Sequence, residues 1–143
     1  MVRLSYVWHL QVLQPCYCFG EPVLCVASTG IAALLLPKGR TSYSQFKIPL
    51  DLCEDSTSAT RKNSKLADFL RQVDLIIWDK VPMQHKYCFE VVNRLLSDLR
   101  STPNVLFGGV PVILGSDFAQ ILLVVPKGSR ADIVYAYLQK SFI

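Results

Sequence analysis

Three runs of consecutive apolar residues, VLCVA at 23–27, LIIW at 75–78 and VPVIL at 110–114, constrain this chain more than anything else in it. None alternates polar with apolar residues, so each reads as a strand covered on both faces rather than one with a wet side. Helical patterns separate them. A strand reaches a parallel neighbour only through a crossover of about a dozen residues or more, which those helices supply. The expected fold is α/β, a largely parallel sheet flanked by helices.

Between the runs, Ser28, Thr29 and Gly30 are turn and helix-start residues, and the short helix IAALLL that follows them is stopped by Pro37. KGRTSYSQFKIPL at 38–50 reads as an irregular connection, and the polar stretch DLCEDSTSATRKNS at 51–64 as an exposed loop. Leu66, Phe69, Leu70 and Val73 recur at helical spacing and place a short amphipathic helix ahead of the second strand. A longer helix follows that strand. Tyr87, Val91, Leu95 and Leu99, with Val92 and Leu96 beside them, form its apolar face, and Glu90 and Arg94 form an i,i+4 pair on another face. There is no internal repeat.

A length of 143 residues fits one domain, and 51% hydrophobic against 18% charged residues excludes a disordered chain. The net charge of +4 tolerates a polyanion without the dense basic stripe of a dedicated nucleic-acid binder. Cys16, Cys18, Cys25, Cys53 and Cys88 are an odd set without repeated spacing, which points to reduced thiols in an intracellular protein rather than to a disulfide framework or zinc site. Residues 1–20 are apolar but broken by His9, Gln11, Gln14 and Pro15, too short a run to span a bilayer, and no small-residue cleavage pattern follows Arg3.

The chemistry collects at the strand ends. Ser28 and Thr29, then Asp79, then Ser116 and Asp117 close the three runs, and in an open parallel sheet these ends share the edge where ligands bind. An aspartate there suits magnesium, a hard cation that takes one or two carboxylates and otherwise keeps water or phosphate oxygens. An aspartate closing a strand in a turn is the equally ordinary alternative. Neither His9 nor His85 has a nucleophile and orienter at a catalytic spacing, and the C-x-C at Cys16 lacks two further ligands.

VASTGIAALLLPKGRTSYSQFKIPLDL, DLIIWDKVPMQHKYCFEVVNRLLSDL and VILGSDFAQILLVVPKGSR, in that order, resemble the Pif-type (petite integration frequency) ATP-dependent DNA helicases, including copies carried by Helitron transposons. The resemblance runs from about Val23 to Lys140 and implies part of the first of two P-loop NTPase (RecA-like) helicase domains, with ATP and Mg2+ as cofactors and single-stranded DNA as partner. It implies that Asp79 is the Walker B aspartate that holds magnesium, and that Gln120, after a turn containing Asp117, senses the terminal phosphate. Ser28, Thr29 and Gly30 would lie along the DNA backbone. Phe46 and Lys47 would approach the strand, where an aromatic ring can stack on a base and a cation can pair with a phosphate; plain core packing is the alternative for Phe46. Family roles in DNA repair and recombination, and a nuclear or mitochondrial location, come with the resemblance.

The departures from the pattern are chemical. Residues 1–22 contain no G-x-x-x-x-G-K-[ST] run to cradle phosphates, so this segment reads as divergent and 23–143 as a partial first helicase domain. Lys80 stands where the family has the glutamate that orients water, Ala119 where it has a basic residue, and Leu123 where proline is usual. The second domain with its arginine finger is not in the sequence. The chain is therefore expected to be a degenerate helicase fragment that turns over no ATP, binds DNA weakly and needs no membrane. The alternatives are a non-catalytic module that binds single-stranded nucleic acid or a helicase partner, and a transposon-derived fragment without function.

Overall fold

The computed structural model describes residues 22–115 and residue 129. Its strands are β1 (Val23–Ala27), β2 (Arg40–Thr41), β3 (Leu75–Asp79) and β4 (Val112–Leu114), and its helices α1 (Gly30–Leu34), α2 (Ser42–Phe46), α3 (Lys65–Gln72) and α4 (Lys86–Leu99). Short 3-10 turns occupy Val81–Met83 and Leu106–Gly109. The sheet order is β2-β1-β3-β4 and every pairing is parallel. Val23 lies opposite Leu75 and Ala27 opposite Asp79, so the first two runs end level with each other.

Consecutive apolar residues work here because the pleat sends neighbours to opposite faces, and both faces are covered. Leu24, Val26, Ile76 and Trp78 join the main core with Leu70 of α3 and Val92 and Leu96 of α4. Cys25, Ala27 and Ile77 face the other way, onto Ala32 and Ala33 of α1 and onto Leu36. Trp78 is the largest fully buried side chain among the described residues. Its ring stacks on Phe46 at 5.6 Å and meets Phe89 at 4.4 Å between centroids.

The connection at 38–50 is not irregular: it holds β2 and α2, with the Thr41 hydroxyl capping α2 by accepting from the Ser44 N–H at 3.3 Å. A two-residue strand and a one-turn helix are too short to show periodicity, which is why spacing missed them. The loop at 51–64 is tied down rather than loose. The Arg94 guanidinium donates to the carbonyls of Glu54 and Ser56, and the Ser58 hydroxyl donates to the Phe46 carbonyl at 2.6 Å. Glu90 reaches Arg94 at 3.8 Å as spacing predicts, yet Glu90 is only 2% exposed, so its carboxylate is buried while the Arg94 side chain stays partly exposed. In α3, Ala67 and Leu70 are buried, while Phe69 is 40% exposed and outside the core.

Candidate functional site at the carboxyl edge of the sheet

Because β1 and β3 end level, Ser28 and Asp79 are neighbours although 51 positions separate them. The Ser28 N–H donates to the Asp79 carbonyl at 3.1 Å, extending the ladder one step past the strands. The end of β4 is fastened to the same edge: the Gly115 N–H donates to the Trp78 carbonyl at 2.7 Å, and Val81 N–H to the Gly115 carbonyl at 3.1 Å. Asp117 and Gln120, the remaining residues predicted for this site, lie outside the described residues.

Beneath the edge sits Gln84, 3% exposed, which sequence reasoning passed over. Its side-chain carbonyl accepts from the Ser28 hydroxyl at 2.9 Å and from the Trp78 indole N–H at 3.1 Å. The Ser42 hydroxyl lies 2.9 Å from that oxygen and 2.7 Å from the amide nitrogen. One amide thus holds the end of β1, the start of α2 and the last buried residue of β3 in register. A lone glutamine behind a proline turn has no spacing signal, and its partners are far away in sequence.

Thr29 caps α1, its hydroxyl oxygen accepting from the Ala32 N–H at 3.2 Å, which leaves the hydroxyl proton to point elsewhere. Gly30 is exposed, and a Cβ added there would meet nothing within 4 Å. This end of the site is an open backbone surface. Lys47, which closes α2 in the left-handed region at φ 50°, is exposed as well. Phe46 is not: it is 0% exposed under Trp78 and offers no ring face to a base. Stacking by Phe46 is therefore replaced by core packing, because its ring completes the aromatic layer behind the sheet.

Asp79 ends β3 half-buried, and Lys80 follows it at φ 57°, ψ 39°, the left-handed region that glycine adopts readily and a lysine seldom does. The turn then runs straight into Pro82 and the 3-10 segment. No cluster of three or more His, Cys, Asp or Glu side chains that could hold a metal occurs among the described residues. Asp79 alone does not make a magnesium site; a cation there would depend on the phosphates of a bound nucleotide to complete its shell.

Among the described residues nothing nearby is an activated nucleophile. The Cys88 thiol donates to the Tyr43 hydroxyl at 3.3 Å, and burial pushes both groups up, so each stays protonated at neutral pH. His85 is structural, its Nδ1 accepting from the Tyr87 N–H at 3.1 Å as the N-cap of α4. Burial, helped by the Lys86 charge and opposed by Glu90, lowers its pKa from the ordinary 6.5. A histidine depressed in the folded state takes up its proton first in the unfolded chain, so stability is full above pH 6.5 and falls as pH drops through that value toward the folded pKa. Thermal unfolding midpoints at about pH 7.5 and about pH 5.5 should show this loss, and His85→Asn, which keeps a capping acceptor, should reduce it. An equal loss in both proteins would place the acid sensitivity elsewhere.

A parallel α/β sheet whose strand ends gather small hydroxyl residues and an aspartate on a single edge is an arrangement that P-loop helicase domains share with other open α/β folds. The chain belongs to the PIF1-like helicase family, whose model matches residues 3–143. It is 30% identical over 124 residues to the ATP-dependent DNA helicase Pif1 of Psychrobacter sp. (strain PRwf-1), covering 85% of this chain and 18% of that protein. In a structure described as the basis for DNA unwinding at forked double-stranded DNA by two coordinating Pif1 helicases, the match has a TM-score of 0.79 at 22% identity, over 96% of this chain and 33% of that one. A Pif1 helicase from Bacteroides in complex with ADP-AlF3 and single-stranded DNA matches with a TM-score of 0.72 at 24% identity, over 84% of this chain and 29% of that one. The chain thus spans about a fifth of the curated relative and about a third of each solved chain.

Proposed function

We propose that this chain is a single-stranded-DNA-binding portion of a Pif1-like helicase domain that does not hydrolyse ATP. The observation that carries the reading is the open edge at Ser28, Thr29 and Gly30, held by Gln84 next to an aspartate whose neighbour is Lys80. Exposed backbone and a hydroxyl with a proton to donate suit phosphate oxygens, which position a strand without reading its sequence. The solved relative with single-stranded DNA supports the choice of ligand.

Hydrolysis fails on two counts. A charged ammonium cannot accept a proton from water, and losing such a base alone costs about 10²- to 10⁴-fold. Residues 1–22 hold no Gly-rich lysine run of the kind whose amides and cation position nucleotide and metal, so the chain as tested would have to find them elsewhere among its own residues. A phosphate-release assay with magnesium and single-stranded DNA should show no turnover above background for the chain or for Lys80→Glu. DNA-stimulated turnover by Lys80→Glu would overturn this and put a phosphate cradle in the chain.

Binding is tested by fluorescence anisotropy with an oligo(dT) strand at two salt concentrations. The expected result is weak, salt-sensitive, sequence-indifferent binding. Gly30→Gln, whose side chain enters open space and leaves the fold intact, should weaken it roughly tenfold by covering the surface where the strand lies. Unchanged binding by Gly30→Gln would remove the carboxyl edge from the DNA path.

A further inference from the structure

We infer that a second nucleic-acid contact lies on the flank of the sheet, in a basic cleft that extends the strand's path away from the carboxyl edge. β2 pairs only with Val26 and Ala27, so no described strand covers the flank of β1 from Val23 to Cys25. A cavity of about 780 Å³ opens there between the end of α2 and the start of α3. That volume is within the range of about 300–1,000 Å³ typical of ligand sites.

Its lining is one-sided in charge. Lys38, Arg40, Lys47 and Lys65 border the cavity, and among the described residues no carboxylate does. All four are exposed, and none forms an ion pair or side-chain hydrogen bond among the described residues. Several cations elsewhere are engaged, Lys62 with Asp98 at 2.7 Å, Arg71 with Asp68 at 2.7 Å, and Arg94 with Glu90 and loop carbonyls, while Arg61, away from the cavity, is exposed without such a partner among the described residues. Four exposed cations without such partners, gathered around one cavity, present a focused field there, suited to a polyanion.

The second observation is Phe69. It borders the same cavity, is 40% exposed and takes no part in the core, although its spacing along α3 predicts that it should. Cations beside an exposed ring make a surface that tracks a phosphodiester backbone and stacks its bases, which selects a single strand over a bare polyphosphate or a closed duplex. Lys47 belongs to both surfaces, closing α2 above the cleft, and so joins them. The inference rests on the proposed DNA-binding role.

The test uses the whole chain and an oligo(dT) strand, with affinity measured across a salt series. Lys38→Glu/Lys65→Glu should bind roughly tenfold more weakly and lose about 1.4 from the salt slope, about 0.7 for each phosphate contact on a single strand. Arg61→Glu/Lys62→Glu makes the same change in net charge away from the cleft and should stay close to wild type. Phe69→Ala should weaken binding about tenfold while leaving the salt slope unchanged. Equal losses in the two charge-reversed proteins would overturn the cleft and leave the Gly30 edge standing. An unaffected Phe69→Ala would overturn the stacked strand in favour of a bare anion, and a wild-type chain that binds no oligonucleotide would overturn both this cleft and the proposed function.

Discussion

Gln84→Met should lower the unfolding free energy by about 2–4 kcal/mol, far more than an exchange of two side chains of similar length and volume costs in a well-packed site. The loss comes from what is left behind. Trp78 Nε1 and the Ser28 and Ser42 hydroxyls share the Gln84 carbonyl, and methionine offers them only a weak sulfur acceptor. Ser28 can turn its proton to the Asp79 carbonyl, already 3.4 Å away, so its share is small. The indole and Ser42 are buried without such a route, and each unsatisfied group costs about 1–3 kcal/mol. Urea denaturation measures the change. Adding Ser42→Ala to Gln84→Met should recover about 1 kcal/mol by removing one orphaned hydroxyl, and a single-variant loss under about 0.5 kcal/mol would show that Gln84 does not hold the edge.

Trp78→Ala should cost about 3–5 kcal/mol, the range for truncating a large aromatic in a core. The ring is fully buried between Phe46 and Phe89, so removal opens a cavity that two flanking rings cannot close without leaving their own contacts. A typical domain has only about 5–15 kcal/mol in total, so the protein would sit near its unfolding threshold. Trp78→Phe keeps most of the packing and loses the indole N–H, and should cost about 1–2 kcal/mol. Comparing the two in urea separates volume from hydrogen bond. Equal losses would mean that the polar contact, rather than the ring, dominates.

The sheet was legible because consecutive apolar residues between helical patterns admit few other arrangements. β1, β3 and α4 lie where spacing puts them, and β4 starts at Val112, inside the predicted run. The flank was not legible, since Arg40 and Thr41 form a strand only because β1 is there to pair with them. Phe69 keeps helical spacing with Leu70 but sits at the margin of the buried stripe, and spacing does not say where a stripe ends. At the site, the strand-end residues Ser28 and Asp79 were found by topology alone. Gln84 was missed because a buried amide network is defined by partners that only the folded chain brings together.

The pairing of β1 with β3 also sets how the chain must fold. Val23 meets Leu75, so the central ladder closes a loop of about fifty residues before it gains a single hydrogen bond. Helix α4 and the turn at Leu106–Gly109 are near neighbours in sequence and can pack early, with the Phe107 N–H donating to Asn93 Oδ1 at 2.7 Å. The rate-limiting step should then be docking of the β1 segment onto that preassembled half, giving slower kinetics than a fold built from local contacts. Until it docks, β3 exposes an apolar strand edge to other chains, so refolding yield should fall as protein concentration rises.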